Sequence, residues 1–228
     1  MFFHWTYLLL IPGMILVFWA QQRVQSTYRK YSEIPSKMGL TGAQVAQTIL
    51  DRLGIQNVSV EPVAGELTDH YDPSAKAVRL SEVVYGSTSL AAAAVAAHEC
   101  GHVLQDVKGY KPMNFRAAMV PVVNLGANFG PILIMAGLFI GALGKVFIPL
   151  GIALFAGVIV FHIVTLPVEF DASNRALRLI DELGILQGEE NQAARRVLNA
   201  AAFTYVATAL YAVLQLLQYI LIAMGQRD

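Results

Sequence analysis

The sequence predicts a mainly α-helical membrane protein, with four transmembrane helices and a small α+β unit on the cytoplasmic side. Composition is the first observation behind this. Of 228 residues, 56% are hydrophobic and only 14% charged, with a mean hydropathy of +0.53, too apolar for an ordinary soluble domain. The second is that four separate segments reach the roughly 20 apolar residues that a helix needs to cross a bilayer. The third is the lopsided distribution of Lys and Arg among the stretches that join them. Net charge is zero and no long basic or acidic run occurs, which argues against a nucleic-acid partner. Cys100 is the only cysteine, so no intrachain disulfide can form, as suits a reducing compartment.

Residues 1–20 form the first span, with Phe2, Phe3, Trp5, Phe18 and Trp19 near its ends, where interface belts place aromatic rings. Its N-terminal flank lacks Lys and Arg and no small-x-small site follows Trp19, so it reads as a retained anchor rather than a cleaved signal. A helical hairpin occupies 118–168, its spans near 118–143 and 146–168 joined by a tight Gly144-Lys145 turn. Pro121, Asn124, Gly126, Asn128, Gly130 and Pro131 fall in its first half. Amides and helix breakers in lipid need internal partners, so this helix should face other helices. The fourth span lies near 202–224, in a final segment 202–228. Two aqueous stretches remain, 21–117 and 169–201.

Charge sets the orientation. Stretch 21–117 carries Arg23, Arg29, Lys30, Lys37, Arg52, Lys76, Arg79, Lys108, Lys111 and Arg116, and stretch 169–201 carries Arg175, Arg178, Arg195 and Arg196. The opposite side holds only Lys145 and Arg227. By the positive-inside rule both aqueous stretches are cytoplasmic and both termini lie outside, in a cell membrane of the bacterial inner-membrane kind.

The first aqueous stretch reads as a small α+β unit. Thr41-Gly42-Ala43-Gln44 is a capping box, followed by apolar Val45, Ala46, Ile49 and Leu53, with Gly54 as the stop. Extended stretches follow at 58–63 and 66–71, then a turn at Asp72-Pro73-Ser74 and a strand at 77–80. Thr88 or Ser89 caps an alanine-rich helix over 90–105.

That helix carries His98-Glu99-Cys100-Gly101-His102. Residues four apart project from one helical face, about 40° apart around the axis, so His98 and His102 can share one metal ion. Glu99 lies beside that face, where its carboxylate can reach the attacking water without ligating the metal. Gly101 removes a side chain where another backbone can pack closely, and Cys100 points away as filler in a packed face. A hydrolytic zinc site needs a third protein ligand, and the best acid is Glu169, in Leu166-Pro167-Val168-Glu169-Phe170-Asp171-Ala172-Ser173. Pro167 suits the first turn of a helix, which would put Glu169 at a helix start. Two spans separate it from the motif, so both lie on one side of the membrane. Asp171 is the rival ligand.

The motif after an Ala-rich helix, the membrane hairpin and Val-Glu-Phe-Asp-Ala-Ser together resemble the YugP-like neutral zinc metallopeptidases. More distantly, the chain is similar to the HtpX and prenyl-protein-protease group of gluzincins. The resemblance covers the chain from the first anchor to the fourth span. It implies a zincin-like cytoplasmic unit with Zn²⁺ held by His98, His102 and Glu169, and Glu99 as general base. HtpX-type enzymes usually place an Asp four residues after the glutamate ligand, where this chain has Ser173. A carbonyl, Ser173 or Asp171 could orient the histidines instead. The expected function is a membrane zinc metalloendopeptidase acting on membrane-associated or misfolded polypeptides at the cytoplasmic face. Its partners are then a polypeptide substrate and the lipid bilayer. The edge of the strand near 78–80 could hold an extended peptide, and His70 and Tyr71 are candidate oxyanion or substrate contacts. The alternative is a non-proteolytic scaffold that retains a structural metal.

Overall fold

The computed structural model describes residues 5–140 and 143–225; Phe2, Phe3 and Arg227 lie outside them. A 3-10 turn at Trp5–Leu9 leads into α1 (Leu10–Ser32), then α2 (Gly42–Arg52), β1 (Ser59–Val63), β2 (His70–Asp72) and β3 (Ala77–Ser81). Four helices follow a short α3 (Glu82–Tyr85): α4 (Leu90–Val107), α5 (Lys111–Phe139), α6 (Gly144–Glu182) and α7 (Glu189–Met224). The chain is mostly helical, and the stretches Trp5–Ser32, Lys111–Phe139, Gly144–Glu182 and Glu189–Met224 are each long and apolar enough to cross a membrane. At most 22% of any of their apolar windows is buried within the protein. Most of that apolar surface is therefore left for lipid to cover.

The chain divides into two compact units. One comprises residues 1–21, 114–167 and 203–228. Within it α5 and α6 pack through glycines. A Cβ on Gly126 would lie 2.4 Å from the Leu154 carbonyl oxygen, and one on Gly151 would lie 2.7 Å from that of Gly130. Small residues let the two backbones approach, which drives helix association in lipid. The Asn128 amide donates to the Asn124 carbonyl on its own helix, satisfying one of the expected polar groups.

The other unit comprises residues 22–113 and 168–202. Its α2 begins at the expected capping box: the Gln44 amide donates to Thr41 Oγ1, and the Gln44 side chain accepts from the Thr41 amide. It ends before Gly54, which sits at φ +69°, a conformation glycine adopts without a steric cost. Val45, Ala46, Ile49 and Leu50 from α2 are fully buried with Val78 and Leu80 of β3 and the alanines of α4.

The sheet order is β1-β3-β2, with β1 parallel to β3 and β2 antiparallel to it. The strand at 77–81 is thus central and paired on both sides, so it cannot offer an edge to a peptide. The free edges belong to β1 and β2. Both faces of β3 are apolar enough to bury, Ala77, Val78, Leu80 and Ser81 all being enclosed, which favours a central place over an edge. Arg79 ties the sheet together through Asp72 (2.7 Å) and Glu61 (3.3 Å).

Pro167 does not open a helix. It lies inside α6, as Pro149 does, and Pro121 and Pro131 lie inside α5. The proline forfeits one backbone hydrogen bond, but the following turn is held by Val168 and Ala172, both fully buried, so packing overrides the local break. Glu169 is therefore mid-helix.

The sheet is fastened to α4 by Asp106. Tyr71 Oη donates to its carboxylate at 2.6 Å, and Lys76 Nζ bonds the same oxygen. Burial alone would raise the Asp106 pKa, but the Lys76 and Tyr71 bonds outweigh it and hold the carboxyl below its usual value. A depressed carboxylate pKa stabilises the fold above the unfolded pKa of about 4, and that stability is lost as pH falls through the folded value. Asp106→Asn should cost about 1 kcal/mol at pH 7, Lys76 being 43% exposed and screened. The deficit should shrink at about pH 3, below the unfolded pKa of about 4, where the ionised tie begins to be lost. Unfolding in detergent at both pH values checks this; an equal deficit at both would refute the ionised tie.

Candidate metal centre

Helix α4 supplies half of the site. Ser89 is its N-cap, Oγ accepting from the Ala92 amide, and Ala91–Ala94, Ala96 and Ala97 are fully buried. Small side chains let other elements close on the helix from several directions. At Gly101 the approach is so close that a Cβ would lie 2.3 Å from the Ala172 carbonyl oxygen of α6. This places the residues flanking Ala172, namely Glu169 and Ser173, against His98 and His102.

Glu169 Oε2 lies 3.3 Å from His98 Nε2 and 3.6 Å from His102 Nε2. The three potential ligand atoms are all within 4.8 Å of one another. Two ligands about 2.0–2.1 Å from a tetrahedral ion stand roughly 3.3 Å apart, so these spacings suit one cation. The donor set of two imidazoles and one carboxylate also suits zinc. Burial disfavours the His102 imidazolium, yet Glu169, Glu99 and Gln105 outweigh it and raise the pKa. Surroundings that favour positive charge on the imidazole favour a bound cation too.

Glu99 is 6% exposed and near enough to His102 to act on its charge. Asp171 does not join the trio. Its carboxylate accepts from Gln105 Nε2 and from Arg175 Nε, whose guanidinium also lies over the Tyr110 ring. Cys100 Sγ faces the Ala46 carbonyl at 3.7 Å, and burial pushes its thiol pKa up. His70 is exposed, its Nδ1 2.8 Å from the Thr68 carbonyl, and the Tyr71 hydroxyl is committed to Asp106.

Both histidines are oriented from behind. His98 Nδ1 is 3.1 Å from Ser173 Oγ, one of the groups the sequence offered for this role. His102 Nδ1 is 2.9 Å from Gln105 Oε1, a partner that sequence reasoning missed. The Gln105 amide nitrogen donates to both Val168 O and Asp171 Oδ2 at 2.8 Å. With two acceptors on that side, the amide oxygen must face His102, so His102 carries its proton on Nδ1 and presents the Nε2 lone pair. Gln105 is fully buried, and a buried amide three residues beyond His102 on its face was the available signal.

The family model described as "Putative neutral zinc metallopeptidase" matches residues 6–224. A relative from Bacillus subtilis (strain 168), "Putative membrane protease YugP", is 44% identical over 220 residues, which is 96% of this chain and 97% of the relative. No solved structure matches the chain. The chain belongs to this zinc metallopeptidase family.

Gln105→Leu keeps an approximate volume but removes the acceptor for His102 Nδ1–H. Loss of such a supporting group commonly costs about 10–100-fold in metal affinity, and that loss is expected here. Competition titration against a chromophoric zinc chelator measures it; wild-type affinity in the variant would show that Gln105 does not position the ligand.

Proposed function

We propose that this member of the family is a membrane-anchored zinc endopeptidase that hydrolyses membrane-associated or misfolded polypeptides at the cytoplasmic face. The observation that supports it most is the meeting of His98, His102 and Glu169 at 3.3 and 3.6 Å, beside a second buried carboxylate, Glu99. Zinc held by those three residues supplies Lewis-acid polarisation of the scissile carbonyl and a lowered pKa for water. Glu99 accepts the proton of the attacking water and passes it to the leaving amine. Gln105 and Ser173 keep the Nε2 atoms of the histidines aimed at one point, so little reorganisation is needed during reaction.

Substrate binding falls to β2 in this reading. It is an edge strand, and its Tyr71 is bonded to Asp106, one helical turn beyond His102. An extended peptide can add to that edge through main-chain hydrogen bonds. Tyr71 then acts by holding β2 to α4, while exposed His70, whose Nδ1–H is given to the Thr68 carbonyl, offers Nε2 as the side-chain contact for substrate. Residues 21–117 and 169–201 are the cytoplasmic parts, with the anchor 1–20, the hairpin 118–168 and the segment 202–228 in the membrane.

Catalysis separates the roles of the two acids. Glu99→Gln should retain zinc and lose about 10²–10⁴-fold or more in peptide hydrolysis, because an amide cannot take the proton. Glu169→Gln should instead hold zinc weakly and regain part of its activity when zinc is added. Zinc content and hydrolysis of unfolded casein and a membrane-anchored substrate, with and without phenanthroline, test both. A fully active Glu99→Gln would end the general-base assignment and favour a scaffold with a structural metal.

Topology is tested with Lys145→Cys and Glu190→Cys in a Cys100→Ser background. On intact cells an impermeant thiol reagent should label position 145 and spare position 190, as the charge asymmetry requires. The opposite pattern would move the site to the other face of the membrane.

A further inference from the structure

A cleft of about 420 Å³ lies between α1 and α7 in the same unit as the metal centre. Its lining is Arg23, Ser26, Thr27, Lys30 and Tyr31 from α1, with Arg196 and Asn199 from α7. Three of the seven are cations, the other four carry hydroxyl or amide donors, and none is acidic. Arg23, Thr27 and Lys30 recur at helical spacing, so they share one face of α1. Arg196 Nη1 donates to Tyr31 Oη at 3.1 Å, and Lys30 Nζ lies 5.4 Å from the centre of the Tyr31 ring. The phenol thus sits between two cations and helps hold both at one cleft. No step of peptide hydrolysis uses these residues.

Position along the two helices adds a second argument. Arg23 follows the apolar run of α1 by three residues, after Ala20, and Arg196 and Asn199 immediately precede the apolar run of α7. In both helices the cavity residues therefore stand where an apolar stretch gives way to polar sequence. That is the depth at which phospholipid phosphates lie. We propose that this cavity is a phosphate site, filled by the headgroup of an anionic glycerophospholipid, with Arg23, Lys30 and Arg196 as the charge-bearing contacts. Guanidinium groups bind phosphate oxygens through paired donors, and a lysine adds a point charge. Ser26, Thr27 and Asn199 supply neutral donors for the remaining oxygens.

The test uses the full chain purified in detergent with zinc retained. Native mass spectrometry compares adducts of phosphatidylglycerol and phosphatidylcholine. Each basic side chain near an anionic lipid surface is worth about fivefold in binding, so wild type should prefer phosphatidylglycerol by at least about tenfold. Arg23→Gln/Lys30→Gln/Arg196→Gln should abolish the preference. Lys108→Gln/Arg178→Gln/Arg195→Gln, which removes the same charge elsewhere, should keep it. Zinc content reports folding of both triples, and single Arg196→Gln, expected to weaken the preference partly, serves if the first triple fails to fold. Inorganic phosphate is the second arm. If it protects wild type against thermal unfolding as well as the lipid does, and only through these three residues, the site stands and free phosphate is its ligand. Equal loss in both triples, or a preference that survives the cavity triple or Arg196→Gln unchanged, would overturn the site.

Discussion

The contact between Gly101 and the backbone of α6 sets the geometry of everything around it. A β-carbon there would sit 2.3 Å from the Ala172 carbonyl oxygen, closer than any side chain can be accommodated without parting the helices. Because that contact fixes the register of α4 against α6, it also fixes which residues meet. His98 and His102 lie three before and one after Gly101, and Glu169 and Ser173 lie three before and one after Ala172. One close approach therefore delivers two imidazoles from one helix and a carboxylate and a hydroxyl from the other. The fully buried alanines of α4 serve the same end, because they let α2, β3 and α6 surround the helix without forcing it away.

Burying so many polar groups is costly unless each finds a partner. The site meets this through chains of bonds rather than isolated pairs. His102 is bonded to Gln105, which is bonded to Val168 and Asp171, and Asp171 is bonded in turn to Arg175. Charge at Arg175 is thereby connected to the tautomer of His102 through an amide that has only one workable orientation. His98 has a shorter support, the single hydroxyl of Ser173. A neutral hydroxyl at that position adds no negative charge beside the two imidazoles. Glu169 and Glu99 then carry most of the negative charge there.

The three parts of the site are far apart in sequence but need little of the chain to hold them. Residues 98–105 and 168–173 contribute the two imidazoles, Glu169, the side chains bonded to them and Glu99, while β2 and Lys76 brace the end of α4 through Asp106. Between those segments in the chain runs the α5–α6 hairpin, packed through Gly126, Gly130 and Gly151. Its prolines remain inside continuous helices, as is tolerated where neighbouring helices support the interrupted turn.

Much of this was legible because it is local. Hydropathy over about 20 residues finds the apolar helices, the four-residue spacing of His98 and His102 declares a shared face, and Thr41 with Gln44 marks a helix start. Glu169 could be nominated because it is an acid that follows two apolar spans, whereas Ser173 was offered only through the family resemblance, as the residue standing where HtpX-type enzymes carry an Asp. What the sequence could not decide was partner choice between distant elements. Nothing local distinguishes Glu169 from Asp171 as the acid that meets the histidines; the register imposed at Gly101 does, and it turns Asp171 to Gln105 and Arg175. Nor does an alternating strand reveal its rank in a sheet, so β3 proved central rather than an edge. Pro167 looked like a helix start, because a proline's local preference is visible in sequence. The burial of Val168 and Ala172 that overrides it exists only once α6 has packed against α4.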